Sequence, residues 1–543
     1  MSKRSIKTII ILVLLPVLVL QGCLFQWLPY TPPATPPPLE LLEPPEFEET
    51  APEEPPRPGQ FTLRYNTEFT MNPIIARNRD NILLTSLLYE SLFFLNENLE
   101  PEPLLCVSWR TEDNVTFEFD IMPNVAMHDG TTLTADDVSY SIRQAIQRGR
   151  HESKLRSIDS VSSDGELTVT IELKYANARF IRVLDIPVIK SGSIESRIPP
   201  GTGPFIFPTE TSMRLNRFLN YRFADEIPLD VIHLRECSDS ELTEMFNDGL
   251  LSMLWDDPTG AFDIRLNRPH EPRYYNTTAI QYIGFNSTSY VLRNPDVRRA
   301  IGNAIDRQYI VENIMNVPRT GQTVAAPVAI SPIFDLYDPQ WEHRGMDPLV
   351  EMAELLTRSG IADFDECSLL EIGDGQGGWF RFNLDFIVNI ENAHKLASAH
   401  SIADSLRQFG FDINVRELQW NNFVSELEEG NFDMFYGETL LGADFDLTPL
   451  LLGGEDNLNF GRTGNTAYVP LIQVFLAAET AEQVSYAGAQ LNLAILQNAP
   501  FIPILYKRYS IYTPMGVVTG ASPGQSGVFY NFHDWSIDLL MLN

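Results

Sequence analysis

From Pro29 to Pro58, 12 of 30 residues are proline and seven are glutamate. Proline fixes φ and removes a backbone donor, while close-set glutamates repel one another and hold water, so the stretch reads as an extended, polyproline-like spacer. At about 3.1 Å per residue it could reach on the order of 90 Å. A folded body must therefore begin near Gly59. What remains of the 543 residues suits about three structural units at roughly 100–200 residues each, and a 44% hydrophobic content supplies a large core.

The segment before the spacer bears on compartment. Lys3, Arg4 and Lys7 precede an apolar run, Ile9 to Leu20, interrupted by Pro16. The run falls short of the about 20 residues needed to span a bilayer but suits the hydrophobic region of a signal peptide. It ends in Leu20-Gln21-Gly22-Cys23, which resembles the bacterial lipoprotein box. The resemblance implies removal of residues 1–22 and lipidation of Cys23, which leaves residues 23–58 as tether. It places the protein outside the cytoplasm, held by lipid at the outer face of the cytoplasmic membrane (periplasm or cell surface). In that setting Cys106, Cys237 and Cys367 are widely separated and lack a C-x-x-C pair. They offer no zinc site and at most one disulfide, and burial as small hydrophobes is expected for all three.

The formal net charge is −33, and no more than two Lys or Arg residues are adjacent anywhere. Such a surface repels phosphate backbones, which excludes nucleic acid as a ligand.

Beyond Gly59 the patterning alternates. Phe61 to Tyr65, Val115 to Ile121 and Leu167 to Leu173 read as strands, and Asn81 to Leu95 reads as a helix carrying Leu84, Leu87, Leu88 and Leu92. Thr134 followed by Asp136 and Asp137 marks a capped helix start. Pro295 to Ile314 and His394 to Phe409 are amphipathic helices, the second stopped by Gly410 ahead of a further strand. Strands and helices mixed through the chain, with no repeat, predict α/β units around mixed sheets.

Catalytic signatures are missing. No His-Glu-x-x-His occurs, and His394 and His400 are six apart, so they face different directions on a helix. His128-Asp129 precedes Gly130 and reads as a turn. Gly524-Gln525-Ser526-Gly527-Val528 lacks the last glycine of a nucleophile elbow. Gly373-Asp374-Gly375-Gln376-Gly377-Gly378 fits G-x-G-x-x-G formally, but Trp379 to Val388 behind it alternates as a strand. Without a helix to receive a pyrophosphate, the glycines form a hairpin turn or a loop.

Several segments together resemble a known family. Leu99 through Trp109, Met122 through Gly130, Thr131 through Val138 and Gly201-Thr202-Gly203-Pro204-Phe205 are four of them. Phe285-Asn286 with Asp296 through Arg307, Gly430 through Met434 and Ala499 through Ile504 continue the series in order. They are similar to the bacterial extracellular solute-binding proteins of family 5, the oligopeptide and dipeptide receptors of ABC importers, over about residues 60–543. Read physically, most of these motifs are structural. The Gly201 to Pro204 turn joins segments where side chains would clash, and Asp296, Arg298, Arg299, Asp306 and Arg307 are expected to form ion pairs along one helix and its end.

The resemblance implies an α/β, two-lobed periplasmic-binding-protein-like fold (type II, cluster C-like), with an extra third domain and a ligand cleft between lobes. One lobe would comprise residues 59–73, 191–281 and 508–543, the additional domain 74–190, and the other lobe 282–507. It further implies a monomeric, non-enzymatic receptor without cofactor or metal, which takes a peptide or other small solute and docks on an ABC permease complex while a lipid holds it to the membrane. Asp444, then Asp446, would supply the carboxylate for a ligand amine, with Tyr436, Arg462 and Asn66 as lining residues. The family's tryptophan before this stretch is absent; Leu440 or Leu441 stands there. An envelope sensor or ligand-presenting lipoprotein built on the same fold is the alternative.

Overall fold

Two strands set the frame. His270–Phe285 and Phe501–Pro514 pair antiparallel along nearly their whole length, and both are rich in the aromatic and β-branched residues that suit a pleated surface. The computed structural model describes residues 59–543 apart from 261–263, 317–320, 322, 333, 335, 343–346, 454–457, 465 and 543. The chain divides into two units, Met1–Glu46 and Phe47–Asn543, and the signal segment, Cys23 and the proline-rich spacer lie outside the described residues.

Within the second unit the long strand pair passes from one core to another. At one end Tyr275 and Ile511 pack with Phe61, Leu63, Phe205 and Leu234; at the other, Ile283, Phe285 and Ile504 pack with Ile301, Phe386 and Leu406. Each core is filled by side chains whose individual burial contributes about 1.5–3 kcal/mol. The passage is marked by a bulge. Asn276 pairs with Arg508 but Ile280 pairs with Tyr506, so more residues lie on one strand than on the other. Thr277 Oγ1 donates to the Lys507 carbonyl at 2.7 Å and Thr278 Oγ1 to the Leu441 carbonyl at 2.6 Å, so the side chains satisfy backbone groups that the broken ladder releases.

The first lobe contains a four-stranded sheet, ordered Thr62–Arg64, Val231–Arg235, Arg214–Arg217, Phe205–Ile206. A second four-stranded sheet, all antiparallel, is ordered Cys106–Arg110, Thr116–Ile121, Thr168–Leu173, Ile158–Ser163. Helix Ala135–Gln147 packs on it. Its start is the capping box expected from the sequence: the Asp137 amide donates to Thr134 Oγ1, and the Thr134 amide donates to Asp137 at 3.0 Å. In the second lobe, Met434–Leu440, Leu384–Asn389 and Ile413–Leu418 extend the sheet outward from His270–Phe285, with Leu384–Asn389 parallel to both its neighbours. Helix Ala393–Gln408 is capped by Asn392 and stops before Gly410, whose φ of +88° an L side chain rarely adopts.

Several expectations are corrected. The helix read over 81–95 spans only Arg79–Thr85, and Phe93–Leu95 is a strand. Leu87 and Leu88 are buried as predicted, but their carbonyls accept from the Phe205 and Gly203 amides at 2.9 Å, which takes the chain out of the helix. Gly201 and Gly203 make that approach possible: a Cβ on either would fall 2.3 Å and 2.5 Å from the Leu88 backbone. The helix expected over 295–314 breaks after Asn303 and resumes at Arg307. Arg298 makes no ion pair there; buried, it donates to the Ala499 carbonyl at 2.8 Å and to those of Leu292 and Asn498. Asp306 caps the second helix through the Tyr309 amide, and Arg307 donates to the Pro503 carbonyl at 2.7 Å. Asp296 and Arg299 do pair, with Arg358 and Glu351 completing the network. The Gly373 to Gly378 stretch is a hairpin turn between Glu371–Gly373 and Trp379–Arg381, and Leu384–Asn389 behind it belongs to a different sheet. All three described cysteines are free; Cys106 and Cys237 are buried, whereas Cys367 is exposed in a loop that bends around Arg381.

His128 illustrates how a motif residue serves the fold. Its Nδ1 accepts from the Gly201 amide at 3.3 Å, so Nε2 carries the proton and donates to the Gly203 carbonyl at 3.1 Å. Burial pushes its pKa down to about 4, the Gly203 carbonyl and Asp129 opposing only in part.

Candidate ligand cleft

Between the lobes lies a cavity of about 340 Å³. One wall is formed by residues from 82–94, 150–154, 185–187 and 524–533, and the other by residues from 439–449 and Leu458. Of the residues expected from the sequence, Asp444 and Asp446 line it; Tyr436, Arg462 and Asn66 do not.

The two aspartates reach the cleft through a turn that the sequence builds locally. Strand Met434–Leu440 ends, Phe445 takes a left-handed φ of 55°, and its amide returns to the Gly442 carbonyl at 3.0 Å. The Phe445 ring is fully buried and anchors the turn, so the carboxylates on either side are fixed. Asp444 accepts from Asn177 Nδ2 at 2.8 Å and Asp446 from the Tyr175 hydroxyl at 3.1 Å. Arg179 lies alongside, but its guanidinium donates to carbonyls, that of Phe475 at 2.8 Å and that of Ala478 at 3.3 Å, and stacks on the Phe475 ring. Neither aspartate forms an ion pair among the described residues. Asp444 is 3% and Asp446 8% exposed, so two carboxylates share a buried site without an ion pair among the described residues. Burial first, then the neighbouring Asp446, pushes the Asp444 pKa up to about 6, with Asn177, the Asp446 amide and the nearby Arg179 guanidinium opposing.

The remaining sequence candidates sit elsewhere. Tyr436 is in the second core, its hydroxyl donating to Gln281 at 2.9 Å. Asn66 caps a turn by accepting from the Glu68 amide at 3.0 Å. Arg462 is exposed and donates to the Glu428 carbonyl at 3.1 Å. Where the family's tryptophan was missed, Leu440 and Leu441 both line the cavity.

Sequence reasoning overlooked the opposite wall. Glu90 is held by Arg222 through two contacts of 2.7 Å, and Asp185 by Lys154 and, at 2.8 Å, by Ser526. Phe94 stacks on Tyr530 with the ring planes 3° apart. These residues come from five distant stretches, so no motif announces them. Outside the cleft, Asp363, Asp365, Cys367 and Glu371 have metal-ligand composition, but Arg381 already lies among them, 2.7 Å from Asp365 and 3.0 Å from Cys367 Sγ.

The family model for bacterial extracellular solute-binding proteins, family 5, middle region, matches residues 100–452. The oligopeptide-binding protein AppA of Bacillus subtilis is 22% identical over 384 residues, 64% of this chain and 67% of its own. The glutathione-binding protein GsiB of Shigella dysenteriae is 23% identical over 477 residues, 81% of this chain and 87% of its own. Among solved structures, AppA from Bacillus subtilis in complex with a nonapeptide superposes with a TM-score of 0.66 at 18% identity, covering 89% of this chain and 100% of that one. NikZ from Campylobacter jejuni in complex with Ni(L-His) gives 0.66 at 17% identity, covering 88% and 100%. The shared fold is the two-lobed one described above, while the names and titles of these relatives span quite different solutes.

Proposed function

Because the chain belongs to the bacterial extracellular solute-binding proteins of family 5, we propose that its cleft captures an amine-bearing solute, a peptide in the first instance, and delivers it to an ABC permease. Proteins of this family act outside the cytoplasm and bind solutes rather than transform them. One observation carries the reading: Asp444 and Asp446 line the cleft, buried together and without an ion pair among the described residues. Burying a carboxylate without a counter-charge is costly, and a ligand ammonium between them supplies what is missing.

Capture follows from the architecture. A ligand that touches both walls favours the closed arrangement of the lobes by its extra contacts there, and only that differential can shift the equilibrium. Asn177 orients Asp444 from the first half of the chain, so closure and carboxylate geometry are coupled.

The localisation is part of the proposal. Among the described residues no helix is long and apolar enough to cross a membrane, so attachment would rest on Cys23 and the spacer behind it. Labelled palmitate should enter the expressed protein and be absent from Cys23→Ala. For the ligand, native mass spectrometry of protein purified from cells, followed by calorimetry with the solute found, is the deciding test. Recovery of a ligand with no amine or other cationic group would sink the peptide reading.

A further inference from the structure

The segment Gly524-Gln525-Ser526-Gly527, which cannot serve as a nucleophile elbow, has another use in the fold. Gly524 and Gly527 each donate an amide to the other's carbonyl at 3.2 Å, so Gln525 and Ser526 form the tip of a tight hairpin turn. Val528 and Phe529 behind the tip are buried in the core that holds Phe61 and Leu63, and Ser526 Oγ donates to Asp185 at 2.8 Å. The turn is thereby fixed to one wall of the cleft, where Gln525 lines the cavity.

From that wall the Gln525 side chain reaches the bulge. Its Oε1 accepts from the Thr278 amide at 2.7 Å, and its Nε2 donates to Thr278 Oγ1 at 3.0 Å. The orientation of the side-chain amide follows from chemistry, because a backbone N–H can only donate. Thr278 is fully buried in the bulged stretch, Thr277 to Ala279, opposite which Phe501–Pro514 has Lys507 alone. A buried amide released by a bulge needs a partner, and here the partner stands 247 positions further along the chain.

The same threonine passes the contact on. Its Oγ1 accepts from Gln525 and donates to the Leu441 carbonyl at 2.6 Å, while the Leu441 amide donates to the Thr278 carbonyl at 3.2 Å. Leu441 lies on the opposite wall, directly before Gly442, whose carbonyl closes the turn that carries Asp444 and Asp446. Leu441 and Phe445 are buried in a different core from Val528 and Phe529. One side chain thus joins the two walls by hydrogen bonds that run in a single donor direction, an order in which each bond polarises the next.

We infer that Gln525 is a positioning residue for solute capture: acting through Thr278, it sets the turn from Leu441 to Asp446 at a fixed distance from the opposite wall. These contacts and the two-lobed fold carry the assignment whatever the solute is. Without the Gln525 amide, the bulge loses its hold on the 524–527 turn, and the two walls are no longer in register with each other.

The test measures the separation of the lobes in the solute-free chain. Spin labels go on Leu219→Cys, beside the sheet of the first lobe, and on Tyr486→Cys, on helix Ala481–Asn498, both natural side chains being more than half exposed. Cys23→Ala and Cys367→Ala remove competing thiols. Double electron–electron resonance should give one narrow distance distribution for the chain with Gln525 and Thr278 intact. Gln525→Met keeps the length of the side chain without its amide, and should widen the distribution at least twofold. Thr278→Val keeps the backbone contact to Gln525 and removes only the hydroxyl; it should widen the distribution similarly, and Thr278→Ser should restore it. Gln525→Met and Thr278→Val together should widen it no more than either does alone, as members of one chain do. Unchanged widths in both variants overturn the assignment, even if the unfolding temperature falls, since Gln525 would then only support the fold. Equal widening in Thr278→Ser and Thr278→Val overturns it as well. Should Gln525→Met fail to fold, the comparison of Thr278→Val with Thr278→Ser decides.

Discussion

The Lys507 ammonium lies 3.0 Å from Glu438, reaching it across His270–Phe285, the strand that pairs with both of theirs. Lys507 is 1% exposed; it also contacts Asp257 on the far side, while Lys395 meets Glu438 at 3.0 Å. Burial works against each charge, but the two lysines outweigh it at Glu438 and hold its pKa down at about 2. The four groups balance to zero, which is what permits them to stay charged at the join of the lobes.

Removing the central member should therefore be severe. Lys507→Met takes from Asp257 its cationic partner, leaving it the Thr259 amide and hydroxyl, and leaves Glu438 with Lys395 and Gln281. A loss of about 3–5 kcal/mol is expected from breaking a buried pair on one side. Chemical denaturation followed by tryptophan fluorescence measures it. A loss under about 1 kcal/mol would mean that water already compensates these charges.

Ligand binding should depend on pH through Asp444. With its pKa near 6, the carboxylate is mostly protonated at pH 5 and mostly ionised at pH 7, and an ammonium binds the ionised form. Affinity for an amine-bearing peptide should fall about tenfold from pH 7 to pH 5, with proton release on binding near pH 6. Titrations in two buffers of different ionisation enthalpy detect that release. Asp444→Ala should cost at least about tenfold in affinity at pH 7; unchanged binding in that variant would exclude Asp444 as the amine partner.

Acid should weaken the fold through His128. Its pKa in the folded chain, about 4, lies below the ordinary 6.5, so the unfolded state takes up the proton first. The contribution is complete above about pH 6.5 and is lost progressively as the pH falls towards 4, by roughly 1–3 kcal/mol. Asp444 acts in the opposite sense, since its raised pKa disfavours the folded state as pH rises from about 4 to 6. Comparing unfolding free energies of the natural protein and His128→Phe at pH 7 and pH 4.5 separates the two: the variant should be less stable at pH 7 but lose less on acidification.

Gly203→Ala probes the close approach that ended the first helix early. The added methyl group would meet the Leu88 backbone at 2.5 to 2.8 Å, and neither chain can swing aside as a flexible side chain would. Overpacking of this kind costs about 1–3 kcal/mol. A thermal unfolding curve that coincides with that of the natural protein would show the two segments to be less tightly joined.

These sites also mark what a sequence can disclose. The Thr134 cap, the Gly410 stop and the glycine hairpin at 373–378 depend on neighbours within a few residues, and each was legible. The early end of the first helix was not, because Gly201 and Gly203 impose it from more than a hundred positions away. The candidate site divides likewise. Asp444 and Asp446 were reached through the family resemblance, by their position after Gly430 to Met434, and both do line the cavity. Tyr436 and Arg462, close by in sequence, point into the core and onto an exposed loop, since alternation along a strand and one left-handed residue redirect them. Arg150, Lys154, Asp185 and Ser526 meet only through tertiary folding, and each alone resembles any surface polar residue.

The bulge at Thr277 to Ala279 has a mechanical side. Four steps of chain run from Asn276 to Ile280 against two from Arg508 to Tyr506. At about 3.3 Å per residue, one strand carries some 7 Å more contour length than its partner across the join. One residue of that surplus is returned at the next irregularity, where the single step from Gln281 to Tyr282 lies against two from Leu505 to Pro503. The two strands thus carry their extra residues in succession, first one and then the other, and the spare contour at the join is bounded on both sides by regular ladder.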